Sequence, residues 1–197
     1  MASVNVAAKP GLDIISVRKV PHTVEIVEPD PTWPEVFEVQ KQRITAALGA
    51  IAVNIQHVGS TSVPGLPAKP VIDIDLTVAD IHDESAYVLA LEKSGFQFLF
   101  REIPWDNHRF FADYEPFVNL HVWGHDSAEL VRHRLFRDRL RRNAADREAY
   151  GRIKREASRA TKEAGDGVAE YNERKGEVIR GILKSAYEDE GLEWDRK

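Results

Sequence analysis

The sequence predicts an α/β (α+β) protein: a mixed β-sheet with helices, followed by a helical C-terminal region. Strand-like and helix-like segments alternate up to about residue 127, which is the pattern of a sheet covered by helices. From Ala128 onward the chain is highly charged and helical in period, with no strand pattern. At 197 residues it is long enough for one domain, or one domain with a helical appendage. The expected division is a flexible N-terminal arm over 1–20, an α/β core over 21–127 and a helical region over 128–197 packed on the core.

The elements follow in order. Val24–Val27 alternates like a short strand, and Pro29, Pro31 and Pro34 punctuate the loop after it. Thr32 caps a helix expected to run to about Ala50, with Val36, Phe37, Ile44 and Leu48 facing inward. Ile51–Val58 and Val71–Val78 read as strands. In the second of these, Ile72, Ile74 and Leu76 share the core face. Asp83–Ser94 suits a helix closed by Gly95, and Phe96–Arg101 a strand. Arg109–Asp113 and Phe117–Trp123 form a hairpin turning at Glu115-Pro116. The C-terminal helical stretch breaks near Asn143 and at Gly165-Asp-Gly167.

Composition narrows the classes of function. The net charge of −5 gives no support for bulk nucleic-acid binding. There is no cysteine, which excludes disulfides and thiol catalysis. No run of 18 apolar residues exists, so no membrane span is expected, and the N-terminus lacks a secretory pattern. A cytoplasmic protein acting on a small molecule is the expectation. Oligomeric state is not legible.

Asp73 and Asp75 lie two apart on an otherwise apolar strand, so their carboxylates share one face. Paired carboxylates repel and are tolerated when a divalent metal sits between them. The turn Gly59-Ser60 precedes them and exposes backbone N–H groups to anionic oxygens. Phosphate donors beside Mg²⁺ or Mn²⁺ ligands are what nucleotide chemistry needs. Thr61, Ser62 and Lys69 on the same loop join Gly59 and Ser60 as phosphate candidates. A Walker loop is excluded, because Leu66 follows Gly65 where that motif has lysine.

Other residues break their local pattern. Phe117, Asn119, His121 and Trp123 share the more polar face of their strand, so His121 can project toward the acids as base or ligand. Arg109 offers bidentate contacts to phosphate, or an ordinary ion pair. Lys175 sits in the buried stripe Val168, Tyr171, Val178, Ile182, where it either snorkels or reaches a phosphate. Among the helical arginines, Arg134, Arg137 and Arg141 fall on an outer, solvated face. Arg132 and Arg139 fall among apolar residues and need acidic partners or an anion. His57 and His108 are candidates by proximity to the motifs.

These residues resemble the GrpB family. Glu28-Pro-Asp-Pro-Thr-Trp-Pro34 is similar to its opening motif. The run His57–Ile74 is similar to its central signature. Arg109-Phe-Phe111, Leu120-His-Val122, Phe136–Leu140 and Tyr171 with Lys175 match its later motifs, over roughly Val24–Tyr187. The resemblance implies a divergent nucleotidyltransferase fold, related to a domain fused to some dephospho-CoA kinases. In that superfamily a Gly-Ser turn holds the triphosphate of a nucleoside triphosphate. Two acids of the next strand hold Mg²⁺, and a third acid on a later strand completes the site. Here the later strand offers Asn119 and His121. Histidine is a poor ligand for a hard cation. His121 is then a base or substrate contact, or the metal is borderline (Mn²⁺ or Zn²⁺), or nucleotidyl transfer has been lost. The implied activity is nucleotidyl transfer to a small acceptor, or ATP-dependent ligation. The alternative is a non-catalytic nucleotide-binding module.

Overall fold

The computed structural model describes residues 10–21 and 23–194. Six strands form one mixed sheet: β1 (Leu12–Ile14), β2 (Ala52–Val58), β3 (Ile72–Val78), β4 (Gln97–Glu102), β5 (His108–Tyr114) and β6 (Phe117–Gly124). Their order is β1-β4-β5-β6-β3-β2, and β3 pairs with β6 in parallel while the other neighbours run antiparallel. The β3–β6 register sets Asp73 opposite Asn119 and Asp75 opposite His121. The polar face read from alternation is therefore continuous across the two central strands.

The other face makes the main core. Ile72, Ile74, Leu76 and Val78 of β3 join Val118, Leu120 and Val122 of β6. On them pack α1 (Trp33–Leu48), through Trp33, Phe37, Ile44 and Leu48, and the short α2 (Val88–Lys93), through Leu91. Each such aliphatic side chain, fully buried, contributes about 1.5–3 kcal/mol. Three helices follow: α3 (Ala128–Arg142), α4 (Ala144–Ala164) and α5 (Val168–Asp189). The break at Asn143 is a cap, its Oδ1 accepting from Asp146 N at 3.0 Å. Gly165, at φ 70°, closes α4 in the left-handed conformation. Leu140, Tyr150 and Ile182 from these helices enclose Val63 and Leu66 of the loop before β3.

Several expectations change. The N-terminal segment is not a free arm over its described part: β1 adds to the sheet edge, and Ser16 Oγ donates to Phe98 O at 2.5 Å. Residues 1–9 lie outside the described residues. Val24–Val27 is no strand but makes a single bridge, Val27 to Ala68, because the prolines after it leave no room to extend a ladder. The helix expected over 83–94 is shorter, a 3-10 turn at Glu84–Ala86 preceding α2.

Candidate functional site

A cavity of about 490 Å³ lies between the polar face of the sheet and helices α4 and α5. Gly59, Ser60, Lys69, Asp73, Asn119, His121, Tyr171 and Lys175, all expected at the site, line it together. Sequence reading missed Arg18, Tyr150, Lys154 and Asn172, which line it too. Lys154 had a signal. Tyr150, Lys154, Ala157 and Thr161 are buried at helical spacing, so the lysine falls inside an inward stripe of α4.

The turn at one end is built by a close approach. Gly59 has φ 66°, and a Cβ added there would lie 2.2 Å from Asp73 Oδ2. Only glycine lets the backbone rest on the carboxylate. Ser62 Oγ donates to Gly59 O at 2.6 Å, and Thr61 Oγ1 donates to Val71 O at 3.0 Å. Those two hydroxyls hold the loop and do not line the cavity. His57 is also structural. It stacks on Phe37 at 4.7 Å and contacts Thr61 at 3.0 Å. Burial, with Arg141 and Arg137 beside it, pushes its pKa down to about 4.

The walls are cationic. Lys154 is 2% exposed, and its Nζ has no hydrogen-bond partner among the described residues. Lys175 Nζ stands 4.0 Å from the Tyr171 ring centroid, and Lys69 Nζ 5.5 Å from the same ring. Burial lowers all three amines, each further depressed by a cationic neighbour: Lys175 to about 7, Lys154 well below the usual lysine range, and Lys69 in the same direction. Among the described residues Asp73 is the one carboxylate lining this space. Its pKa is raised by burial against the opposing Asn119 hydrogen bond, which reaches Oδ1 at 2.8 Å. Arg18 Nη2 donates to Asn119 Oδ1 at 3.2 Å, tying the N-terminal segment to the site.

Asp75 does not line the cavity and is 2% exposed. Trp123 Nε1 donates to Oδ1 at 2.9 Å, and His133 Nδ1 lies 2.9 Å from Oδ2 and 3.1 Å from Oδ1. The donor set does not fit a divalent metal held between two carboxylates, since the second acid is buried against its own donors. Among the described residues no group of three or more His, Asp or Glu side chains is arranged to hold a metal ion.

The arginines sort differently from expectation. Arg109 is buried and pairs with Glu84 at 2.9 Å and with the Asn107 carbonyl, away from the cavity. Arg132 pairs with Glu129 at 2.9 Å, and Arg139 with Asp146 and Asp189 at 2.5 Å each, so both have acidic partners. Arg137 is half-buried and Arg141 exposed, but neither only faces solvent. They donate to the carbonyls of His57 at 3.1 Å and Ser62 at 2.7 Å, holding the glycine turn from behind. A larger groove of about 670 Å³ runs along α4, but exposed arginines and glutamates alternate on it and Arg155 is paired with Glu28 at 2.6 Å. It has the character of a solvated surface. Among the described residues no helix is long and apolar enough to cross a membrane.

Residues 23–185 match a protein family described as GrpB protein. A UPF0157 protein of Halalkalibacterium halodurans is 42% identical over 168 residues, covering 84% of this chain and 85% of its own. One from Streptomyces coelicolor is 35% identical, covering 90% and 93%. The crystal structure of the conserved protein GrpB from Enterococcus faecalis superposes with a TM-score of 0.74 at 28% identity, over 85% of this chain and 99% of that one. A dephospho-CoA kinase of Mycolicibacterium paratuberculosis is 37% identical over 86 residues, which is 42% of this chain and 21% of that protein.

Proposed function

This chain belongs to the GrpB family, and we propose that it binds a nucleoside triphosphate in the cavity between sheet and C-terminal helices and transfers its nucleotidyl group to a small acceptor. One observation carries the reading. Arg18, Lys69, Lys154 and Lys175 surround a space in which Asp73 is the one acid among the described residues, beside the Gly59-Ser60 turn. An amine buried without a partner is unfavourable by about 1–3 kcal/mol. A polyanion entering the cavity relieves that strain and restores charge to the lysines. A triphosphate carries the complementary charge and suits the volume.

The chemistry follows from placement. The turn N–H groups and Ser60 take phosphate oxygens, and the lysines spread the charge that develops on the departing pyrophosphate. The acceptor attacks the α-phosphorus, its bond to phosphorus forms as the bond to pyrophosphate breaks, and its proton passes to a base on the cavity wall. Asn119 and Asp73 orient the acceptor.

Titration calorimetry with nucleoside triphosphates and with inorganic triphosphate tests the binding. Wild type is expected to bind, and Lys154→Met with Lys175→Met to weaken binding at least about tenfold, or about 1.4 kcal/mol. Absence of binding by any nucleoside triphosphate would overturn the proposal. A binding module without chemistry is the second reading, favoured by the enclosure of Asp75 under His133 and Trp123. Nucleotide binding with no pyrophosphate release in the presence of hydroxyl and amine acceptors selects it.

A further inference from the structure

His121 lines the cavity but turns Nδ1 away from it, to 2.9 Å from His108 Nε2. His108 is 1% exposed and stacks on Trp123 at 4.3 Å. Its other nitrogen, Nδ1, has no hydrogen-bond partner among the described residues and faces the Glu102 carboxylate at 3.9 Å. Two buried imidazoles thus stand between a carboxylate at the end of β4 and the cavity wall. Nothing in the phosphate-binding arrangement requires that chain of groups.

We propose that Glu102, His108 and His121 form a relay that leaves His121 Nε2 bare toward the cavity, making His121 the general base and His108 its positioning residue. The tautomers follow in sequence. A neutral imidazole carries one proton. A lone pair on His108 Nδ1 would face the Glu102 carboxylate, acceptor against acceptor, so the proton belongs on Nδ1. His108 Nε2 is then the acceptor in the bond between the rings. The shared proton belongs to His121 Nδ1, and His121 Nε2 keeps its lone pair. Among the described residues Nε2 has no hydrogen-bond partner. Burial, with His108 and His133 nearby, holds His121 well below the ordinary histidine pKa, so the ring is neutral at pH 7. Burial likewise lowers His108, against the opposing pull of Glu102.

This inference rests on the transfer reading of the cavity and narrows the acceptor. A carboxylate is already ionised and needs no base. A hydroxyl or an amine must lose a proton as its bond to phosphorus forms. That proton passes to His121 Nε2, and the Nδ1 proton of His121 passes to His108 Nε2, leaving an imidazolium at His108 whose Nδ1–H faces the Glu102 carboxylate at 3.9 Å. One proton leaves the cavity, the nucleotidyl group moves to the acceptor, and pyrophosphate leaves. The acceptor class is therefore a small molecule with a free hydroxyl or amine.

Long-range ¹H–¹⁵N spectra of the imidazoles, recorded on the full chain without ligand, read the tautomers directly. Wild-type His121 is expected to show a protonated Nδ1 and a bare Nε2. Glu102→Gln, which can donate to His108 Nδ1, is expected to reverse both rings and place the proton on His121 Nε2. A wild-type His121 protonated at Nε2 overturns the relay, and so does a tautomer unmoved by Glu102→Gln. The wild-type spectrum decides even if the variant does not fold. Packing alone would not move this readout. Because the tautomers are read without nucleotide, a failed relay leaves the calorimetric binding test intact, and failed nucleotide binding leaves the tautomers in place.

Discussion

The imidazole of His133 reaches from α3 to the strand of acids and sets its Nδ1 2.9 Å from Asp75 Oδ2. That contact turns the second of the two acids from a prospective ligand into a tie between the sheet and the C-terminal helices. Glu129, one turn earlier on α3, stands 3.6 Å from the other ring nitrogen. The two acids of β3 therefore have separate duties: Asp73 faces the cavity and Asp75 ties α3 to the sheet.

Removing one partner of a buried pair leaves the other uncompensated, which costs about 3–5 kcal/mol. Asp75→Ala is expected to lose stability on that scale in urea unfolding. In the folded variant, nucleotide affinity should change by less than about threefold, or about 0.7 kcal/mol, because Asp75 does not touch the cavity. A large loss of affinity with unchanged stability would restore Asp75 to the binding site.

The same pair fixes a pH dependence. Burial opposes the His133 imidazolium, but Asp75 and then Glu129 outweigh it, and the pKa is raised. A raised histidine stabilises the fold fully below its unfolded pKa of about 6.5. That contribution is lost as the pH rises through the folded value. Unfolding free energies measured from about pH 5.5 to about pH 9 should therefore fall off more steeply in wild type than in His133→Gln.

How much of this was legible depends on how far each contact reaches. Alternation along β3 and β6 placed Ile72, Ile74 and Leu120 in the core, and the polar positions Asp73, Asn119 and His121 together on the other face. Local spacing is enough for that. The partner of Asp75 was not legible, because it depends on how α3 crosses the sheet, a packing outcome 58 residues distant. Arg18 carries no periodic signal, since its segment is ordered by edge pairing with β4 rather than by its own pattern. The grip of Arg137 and Arg141 on the glycine turn was not legible because helical projection knows nothing of the carbonyls standing opposite them.

Lys154 predicts a trade between stability and binding. Its amine is buried without a hydrogen-bond partner among the described residues, 5.1 Å from the Tyr150 ring. Lys154→Met keeps the length of the side chain and removes the unpaired donor. The ligand-free protein is expected to gain about 1–3 kcal/mol in urea unfolding. Triphosphate should then raise the melting temperature of the variant less than that of wild type, because mass-action stabilisation follows affinity. A variant that is less stable and binds as tightly would assign Lys154 to packing.

Gly59→Ala tests the turn. The φ of 66° disfavours any L side chain by about 1–2 kcal/mol, and the added methyl would meet Asp73 Oδ2 at 2.2 Å. Either the turn or the carboxylate must shift. Stability is expected to fall by at least about 2 kcal/mol, and nucleotide binding to fall with it. Gly65→Ala is the control. It has a similar positive φ of 75° but no described residue within 4 Å of its added Cβ, so it carries the backbone penalty alone. Equal losses in the two variants would remove the argument from close approach.

The last prediction concerns protons taken up with the ligand. Burial first, and Lys69 next, bring the Lys175 pKa down to about 7, with Asp73 pulling the other way. Lys154, Tyr171 and Arg18 also face this amine or its cavity. A depressed lysine binds fewer protons in the folded chain than in the unfolded one between about pH 7 and its ordinary value near 10.4, so its contribution to stability rises with pH across that window. A bound polyanion reverses the balance by favouring the charged amine. Triphosphate binding at about pH 8 should therefore take up protons, seen as an enthalpy that varies with the ionisation enthalpy of the buffer. Below about pH 6 the amine is already charged and its share of the uptake should vanish, while above pH 7 affinity should weaken as the amine must be recharged. Lys175→Met should abolish that share. An enthalpy independent of buffer at pH 8 would mean that the cavity amines do not meet the phosphates.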